Sequence, residues 1–424
     1  MPFALLLLLI AVMPMTGRVW KKRWATFYAY VSIGLAVLVT CAYSFLQPGG
    51  FSSALHGYHD YISFTVLIGA LYVTTGGIHL DLGGEATPEK NILFLIAGAI
   101  LANVIGTTGA SMLLIRPWLR WNRACVKGYH LVFFIFVISN IGGALTPIGD
   151  PPLFLGYLSG VPFFWLIEHL SFVWATTMVL ILAVFYFFDT RRVRLAPQLG
   201  RELVSSLDDR WEIEGGLNIT LLLLVVAAFF LPPTPWLREG VMLLSILLSV
   251  TWTNRAVWEK NKFSFDPLKE IVLLFFGIFG TMTPVLDFMR EHASSLGLTY
   301  PLQYYFSTGL VSSVLDNAPT YSSFFELEKG TSRAQLPKVY AALSGSMGDS
   351  HLLVHYRPDY IAAISLGAVF FGASTYIGNG PNLLVKTIAS EMGVPCPSFF
   401  GYIVCYSLPI LFPILALVGF CFFS

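Results

Sequence analysis

A short polar motif occurs twice in this chain of 424 residues, once in each half, and each copy lies inside an apolar segment. The first copy spans residues 146–155 (TPIGDPPLFL) and the second spans residues 375–384 (TYIGNGPNLL). Five of the ten positions are identical, and Asp150 stands opposite Asn379. Glycine and proline at these spacings interrupt a helix. A matched pair of interrupted membrane helices in two halves indicates the ion or substrate site of a secondary transporter.

The composition restricts the chain to a membrane protein. Hydrophobic residues make up 56% of the sequence and charged residues 12%, whereas soluble domains carry about 25% charged residues. Apolar runs of about 20 residues, long enough to cross a bilayer as helices, recur along the chain. The sequence therefore predicts an all-α polytopic membrane protein whose partner is the lipid bilayer. The net charge of +1 gives no basis for a nucleic-acid partner.

Basic loops constrain which apolar segments cross the membrane. The positive-inside rule assigns the Lys/Arg-rich loops 16–24 and 116–128 to the cytoplasm. Three apolar segments lie between these loops, at 25–46, 61–80 and 91–115. An odd number of crossings would place the two loops on opposite sides. One of the three segments is therefore predicted to enter and leave on the same side.

Two segments are predicted to form re-entrant hairpins. Segment 91–115 contains Gly-Thr-Thr-Gly at 106–109, where the chain can turn, and is predicted to enter from the cytoplasm. Segment 302–325 contains Asp-Asn-Ala-Pro at 316–319 and is predicted to enter from outside. Non-helical backbone at membrane depth must be satisfied by protein or by a water-filled cavity. Both hairpins are therefore expected to pack against the interrupted helices.

The resulting domain organisation is two inverted-topology repeats, each with about five transmembrane helices, one of them broken, and one re-entrant hairpin. The first repeat is predicted at 1–190, with its broken helix at about 130–158. The second is predicted at 217–424, with its broken helix at about 357–385. A polar cytoplasmic linker at 191–216 is predicted to join them.

The same topology makes predictions about accessibility. Thr107 and Lys127 should be reached from the cytoplasm, whereas Gly50 and both termini should lie outside. The membrane is expected to be the inner (plasma) membrane, and the sequence is compatible with a homodimer.

Asp150 and Asp316 are the carboxylates most clearly embedded in apolar sequence. An ionisable residue inside a membrane is costly and indicates a functional site. An empty buried carboxylate favours its protonated form and a bound cation favours its charged form, so one site can exchange Na⁺ for H⁺. Both aspartates are therefore candidate proton carriers. The alternative is that each only caps a half-helix, since aspartate is a favoured N-cap residue.

Hydroxyl and amide side chains cluster around the four helix breaks. Oxygen ligands of this kind suit hard cations, although a single hydroxyl in a membrane helix usually bonds a carbonyl of its own helix. The predicted ion- or substrate-binding residues, with Na⁺ as the metal, are Thr107, Thr108, Ser111, Asn140, Thr146, Asp150, Asp316, Asn317, Thr375, Asn379 and Asn382.

Residues 106–117, 139–153 and 376–382 carry a family resemblance. They resemble the motifs of the ion transporter superfamily, particularly its NhaD-type sodium/proton antiporters and their citrate-transporter-like relatives. The resemblance implies an inverted-repeat fold with a scaffold, a moving transport part and two hairpin tips that meet two broken helices. By motif, one implied half-site is Thr107, Thr108, Ser111, Asn140 and Asp150, and the other is Asp316, Asn317, Thr375 and Asn379.

The hairpin tips depart from the dicarboxylate and citrate branch, whose tips read Ser-Asn-Thr. This difference favours a transporter that exchanges Na⁺, or Li⁺, for H⁺ by alternating access, with no enzymatic activity and no cofactor besides the transported ions. The alternative function is a Na⁺- or H⁺-coupled permease for a small anion or oxyacid such as citrate or arsenite. An anion would favour helix N-termini and a basic partner. Lys386 is the basic residue nearest a break, and it is expected to face the cytoplasm.

Two other readings carry less support. An intramembrane aspartyl protease would use two aspartates, but its Gly-x-Gly-Asp loop would need glycine where Pro147 stands. His351 and His355 have the spacing of a helical metal pair, yet no HExxH motif accompanies them.

Overall fold

The fold is built almost entirely from helices. Five described helices are long and apolar enough to cross a bilayer: Thr26–Leu46, Pro88–Trp121, Trp165–Arg191, Asp266–Glu291 and Phe399–Phe423. The all-α polytopic membrane class predicted from the sequence is confirmed. The structure is a computed structural model that describes residues 2–13, 16, 18–81, 83, 86–123, 126–195, 212–231, 234, 236–335 and 354–424.

The first half contains seven described helices. The third begins earlier than the sequence predicts, because the polar residues before position 61 continue the helix instead of forming a loop. Among them, the ring of His59 lies 4.8 Å from that of Trp236, centroid to centroid, in a tilted arrangement. The helices are α1 Pro2–Val12, α2 Arg18–Leu46, α3 Gly50–Gly76, α4 Pro88–Trp121, α5 Gly128–Val137, α6 Pro151–Leu158 and α7 Trp165–Leu195.

Helix α4 folds back on itself at Gly106. This glycine has φ 76° and ψ 155°, in the left-handed range that favours glycine. The two arms lie antiparallel, since the amide of Asn91 donates to Asn122 at 2.9 Å and the rings of Phe94 and Trp118 stack at 5.1 Å. Although α4 is long enough to span a bilayer, it is a hairpin. Its entry from the cytoplasm stays a prediction.

The helix that follows is broken. Helix α5 ends at Val137 and α6 begins at Pro151, with a short 3₁₀ turn at Ile141–Gly143 between them. The backbone crosses itself closely here, because a Cβ on Gly149 would lie 2.0 Å from the carbonyl oxygen of Gly143. Only glycine fits at this crossing.

The second half contains nine described helices. It also contributes one strand of a two-stranded sheet, whose other strand lies in the first half. Strand β1 (His79–Asp81) pairs antiparallel with β2 (Glu212–Glu214), and Leu80 faces Ile213. The helices are α8 Gly216–Ala227, α9 Leu237–Trp252, α10 Arg255–Lys260, α11 Asp266–Glu291, α12 Pro301–Ser312, α13 Asn317–Gln335, α14 Pro358–Gly372, α15 Gly380–Glu391 and α16 Phe399–Phe423, with 3₁₀ segments at Ala228–Phe230 and Ala293–Leu296 and a π-helical stretch at Ile403–Leu411 inside α16.

The predicted linker at 191–216 is only partly described. Its first residues belong to α7, and its last ones form β2 and the start of α8. Residues 196–211 lie outside the described part of the chain.

Helices α12 and α13 form a second hairpin. They join through residues 313–316, and the hydroxyl groups of Tyr304 and Thr331 on the two arms lie 3.0 Å apart. The next helix is interrupted between Gly372 and Gly380. Each half therefore presents a helical hairpin followed by a broken helix.

The remaining helices of the early chain and of the start of the second half pack together. We call α1, α2, α3, α8, α9 and α11 the framework. Its packing is tight, since a Cβ on Gly280 of α11 would lie 2.6 Å from the Cβ of Ala36 on α2. We call the two hairpins, the two broken helices, α7 and α16 the site unit.

Candidate functional site

Asp150 is the centre of the candidate site. Its side chain is 1% exposed, and the residue occupies the N-cap position of α6 without making a side-chain cap bond. Its Oδ1 instead accepts hydrogen bonds from the hydroxyl of Thr107 at 2.6 Å and the amide of Asn379 at 3.0 Å. Its Oδ2 accepts from the amide of Asn317 at 2.5 Å. Both hairpin tips and the second break therefore converge on one carboxylate.

Backbone contacts hold the first hairpin against the first break. The amide of Thr107 donates to the carbonyl of Gly149 at 2.7 Å. The hydroxyl of Thr146 donates to the carbonyl of Asn103 at 2.5 Å and accepts from the amide of Gly149 at 3.1 Å. Thr146, a predicted ion ligand, is thus a link between the two elements.

The second half repeats this link. The hydroxyl of Thr375 donates to the carbonyl of Ser313 at 2.7 Å and accepts from the amide of Gly378 at 3.1 Å. Thr375 therefore ties the second hairpin to the second break in the way that Thr146 ties the first pair.

Three asparagines form a second layer behind the carboxylate. The amide of Asn379 also donates to Oδ1 of Asn140 at 3.1 Å, and the amide of Asn140 donates to Oδ1 of Asn382 at 2.7 Å. The amide of Asn382 donates to the carbonyls of Gly372 and Thr375, each at 2.8 Å. This chain of bonds orients the amide of Asn379 toward Asp150.

One acceptor beside Asp150 has no protein partner. Asn317 is fully buried, and its Oδ1 accepts no hydrogen bond from any described residue. An unpaired buried acceptor carries a desolvation cost that a cation or water can relieve. Ser111, another predicted ligand, lies further back, where its hydroxyl shares a 2.7 Å hydrogen bond with the hydroxyl of Ser139.

Two cavities flank the cluster. A small pocket of about 20 Å³ is lined by Asp150, Thr107, Thr108 and, on its apolar side, Phe64 and Phe154. This volume corresponds to about one water-sized particle. The pocket has room for a single ion or water next to the carboxylate.

A large cavity of about 340 Å³ lies between the framework and the site unit. Thr108, Asp316 and Asn379 line its inner end, and Asp266 and Glu270 of α11 line it further out. Among the described residues that line this cavity, none is a lysine or an arginine. Its described walls are therefore apolar and acidic.

Asp316 has different surroundings from Asp150. Its side chain is partly exposed, lines the large cavity, and accepts a hydrogen bond from the amide of Ala318 at 3.1 Å, which caps α13.

Lys386 lies nearer the second break than the sequence suggests. Its Nζ is 4.1 Å from the ring centroid of Tyr376, which lines the large cavity.

Several residues that line the two cavities were not predicted from the sequence. Phe64 lines the small pocket, and Asp266 and Glu270 line the large cavity one helical turn apart. The i, i+4 spacing of these two carboxylates places them on one helix face, but nothing in the sequence connects that face with the repeated motif.

Asp189 lies at the end of the first predicted repeat, just before the polar linker, yet it is not solvated. It lies on α7 with no exposed surface. It accepts from the hydroxyl of Tyr129 at 2.8 Å and the amide of Asn91 at 2.9 Å, and Nε2 of His130 is 3.3 Å away. The base of the first hairpin is thereby joined to α5 and α7.

The histidine pair with helical metal spacing, which the sequence did not favour as a metal site, is only partly described, since His351 lies outside the described residues. Within the described ranges, no group of three or more His, Cys, Asp or Glu side chains could hold a metal ion.

Comparison with known proteins places the chain among transporters. The family described as "Putative citrate transport" matches residues 1–423. The "46 kDa membrane protein" of Mycobacterium leprae is 26% identical over 331 residues, covering 73% of this chain and 72% of the relative. Uncharacterized transporters of Mycobacterium bovis and Mycobacterium tuberculosis are each 24% identical over 333 residues, with the same coverage of 73% and 72%.

Proposed function

The chain belongs to the family described as "Putative citrate transport", and from this premise we propose that it is a secondary active transporter that exchanges Na⁺ for H⁺, resembling the NhaD type. The observation that carries the proposal is the buried carboxylate of Asp150, which is surrounded by hydroxyl and amide groups from three other elements. Membership of a transporter family supports a transport role over an enzymatic one.

Na⁺ and H⁺ compete for the carboxylate of Asp150, and this competition couples their transport. A buried charge without a counter-ion is costly, so the empty carboxylate favours the protonated form. A bound Na⁺ compensates the charge and displaces the proton. Because both ligands use the same carboxylate, they bind in turn and not together.

The surrounding oxygens suit a small hard cation. The hydroxyl of Thr107 bonds the carboxylate and lines the small pocket. Asn317 also bonds the carboxylate, and its Oδ1 accepts no hydrogen bond from any described residue. Hard cations prefer oxygen ligands of this kind. The acidic residues of the large cavity would raise the local concentration of cations on the way to the site.

The two cavities support alternating access. Asp316 and Asn379 line the large cavity, whereas Asp150 lines the small pocket together with Phe64 and Phe154. The positive-inside rule assigns the start of α11, at the mouth of the large cavity, to the cytoplasm. The described state would then face inward in the inner membrane, ready to load Na⁺ for export. An unequal stoichiometry would draw about 2.3 kcal/mol per charge per 100 mV from the membrane potential.

A permease for citrate or a related small anion is the second candidate. The family description and the 340 Å³ cavity favour it, since that volume exceeds what one bare ion needs. The acidic residues of the cavity weigh against an anion.

Transport by the purified protein in proteoliposomes separates the two functions. A pH-sensitive dye inside the vesicles reports proton movement when Na⁺, Li⁺, K⁺, citrate or arsenite is added outside. We expect Na⁺ and Li⁺ to release protons in the wild type and in the control Glu259→Gln, whose side chain is 70% exposed on α10. Uptake of labelled citrate with no cation-dependent proton movement would refute the exchanger.

A further inference from the structure

Two framework side chains, Phe64 and Arg238, contact the half-helix that carries Asp150, and two more, Ser63 and Glu239, hold Arg238 in place. We call them the α6 clasp: Ser63 and Phe64 on α3, and Arg238 and Glu239 at the start of α9. Arg238 and Glu239 are both largely buried, with 19% and 7% of their side chains exposed.

The guanidinium group of Arg238 lies among three aromatic rings. Its Cζ is 5.6 Å from the ring centroid of Phe154 and 5.7 Å from that of Tyr157, both on α6. The third ring, Phe229, is 5.8 Å away and follows α8. A guanidinium at this range attracts the ring faces. The positive charge of Arg238 on the framework therefore attracts the rings of Phe154 and Tyr157 on the site unit.

Glu239 fixes the orientation of this guanidinium. Its Oε1 accepts from Nη2 of Arg238 at 2.7 Å and from Nε at 3.2 Å. The same oxygen accepts from the hydroxyl of Ser63 at 2.8 Å, which links α9 to α3. A flat guanidinium held by one carboxylate is preorganised for stacking, which an ammonium group would not reproduce.

The clasp acts on the site through α6. This helix has only eight residues, and Asp150 is its N-cap residue. Phe154 touches the clasp through Arg238 and through Phe64, whose ring centroid is 6.4 Å away. Both phenylalanines also line the small pocket beside Asp150. Any shift of α6 relative to the framework would therefore move Asp150 and separate Phe154 from Phe64.

We propose that Arg238 is a positioning residue that holds α6 against the framework, keeps Phe154 packed against Phe64, and so stabilises the state in which the large cavity is open. The contacts of Arg238 with Phe154 and Tyr157 must break before the opposite access state can form. This inference rests on the proposed alternating access, but it does not depend on which ion or anion is carried.

The population of the cavity-open state can be measured without any transported substrate. Leu383 lines the large cavity and is 41% exposed, so Leu383→Cys in a background without the native cysteines reports on access to that cavity. The rate of its reaction with a membrane-impermeant maleimide is followed in everted vesicles. Arg238→Gln should lower this rate several-fold, because removing a contact present in one state shifts the equilibrium away from it.

Matched variants separate positioning from general damage. Tyr157→Leu removes one of the rings but no charge and should lower the labelling rate in the same direction, which keeps the test open if Arg238→Gln does not fold. Arg238→Lys should give an intermediate rate. Arg255→Gln is the control, since Arg255 is 92% exposed and pairs with Glu259 on α10.

Transport kinetics give a second readout. Arg238→Gln should raise KM for Na⁺ on the cavity side more than it lowers kcat. Labelling rates equal to those of Arg255→Gln in both Arg238→Gln and Tyr157→Leu would overturn the clasp. A lowered labelling rate in a protein found to carry citrate would support the clasp and refute only the Na⁺/H⁺ assignment.

Discussion

The two broken helices share a backbone arrangement but differ in the group placed at its centre. Thr146 and Thr375 make equivalent bonds to the hairpin tips. Both breaks also need glycine at one crossing, since a Cβ on Gly149 or Gly378 would lie 2.0 Å or 2.6 Å from a carbonyl oxygen. At the next position the first break has Asp150 and the second has Asn379.

This single difference places an ionisable group at the first break only, while Asp316 supplies a second carboxylate at the tip of the second hairpin. Asn379 donates to Asp150 at 3.0 Å, a bond that a second carboxylate could make only by holding a proton. The shared backbone supports our proposal that the halves are repeats of one another. Asn379 of the second half donates a hydrogen bond to the carboxylate of Asp150 in the first half, so the second half stabilises the charge of the first.

Asp150→Asn should have the largest effect on this asymmetry. The substitution keeps the size of the side chain but removes both its charge and its exchangeable proton. We expect Na⁺-dependent proton release to fall to the level of empty vesicles, while thermal unfolding stays close to that of the wild type. Wild-type exchange in this variant would mean that Asp150 only begins a helix and that the proton is carried elsewhere.

Asn379→Asp should move the pH dependence of transport. Two carboxylates in contact hold one proton between them more tightly than either would alone, so the optimum should shift to higher pH by about one unit. The check is the rate of exchange measured from pH 6 to pH 9. An unchanged profile would show that position 379 does not sense the charge on Asp150.

Thr146→Ala and Thr375→Ala should cost similar amounts of stability. Each leaves a buried hairpin carbonyl without its hydroxyl donor, at Asn103 or Ser313, which costs about 1–3 kcal/mol. Thermal unfolding of the detergent-solubilised protein measures both. A large effect for one and none for the other would argue against equivalent breaks.

Asp316→Asn should have the smallest effect. Asp316 is partly exposed in the large cavity and asparagine can still cap α13. A single charge in a water-filled cavity is worth about 0.5–1 kcal/mol, so KM for Na⁺ should rise by about three-fold. Complete loss of exchange would instead identify Asp316 as a proton carrier equal to Asp150.

The sequence by itself determined the class of the chain and the places where its helices stop. Composition and apolar length identify a polytopic helical membrane protein, because the bilayer accepts little else. The interruptions before Pro151 and Gly380 lie within the two copies of the motif, and α4 turns at Gly106. These signals are local, since glycine and proline act on their own backbone. The inverted arrangement and its placement in the membrane stay predictions.

Only the tertiary structure decided which polar residues meet. Thr107, Asn317 and Asn379 all reach Asp150, whereas Thr146 and Thr375 turn to hairpin carbonyls. In the sequence these five appear as the same kind of polar residue beside a break. Their roles depend on contacts between elements far apart along the chain, and such contacts leave no periodicity in the sequence. The burial of Asp189 and Arg238 was hidden for the same reason: a charged residue next to an apolar segment looks interfacial until packing surrounds it.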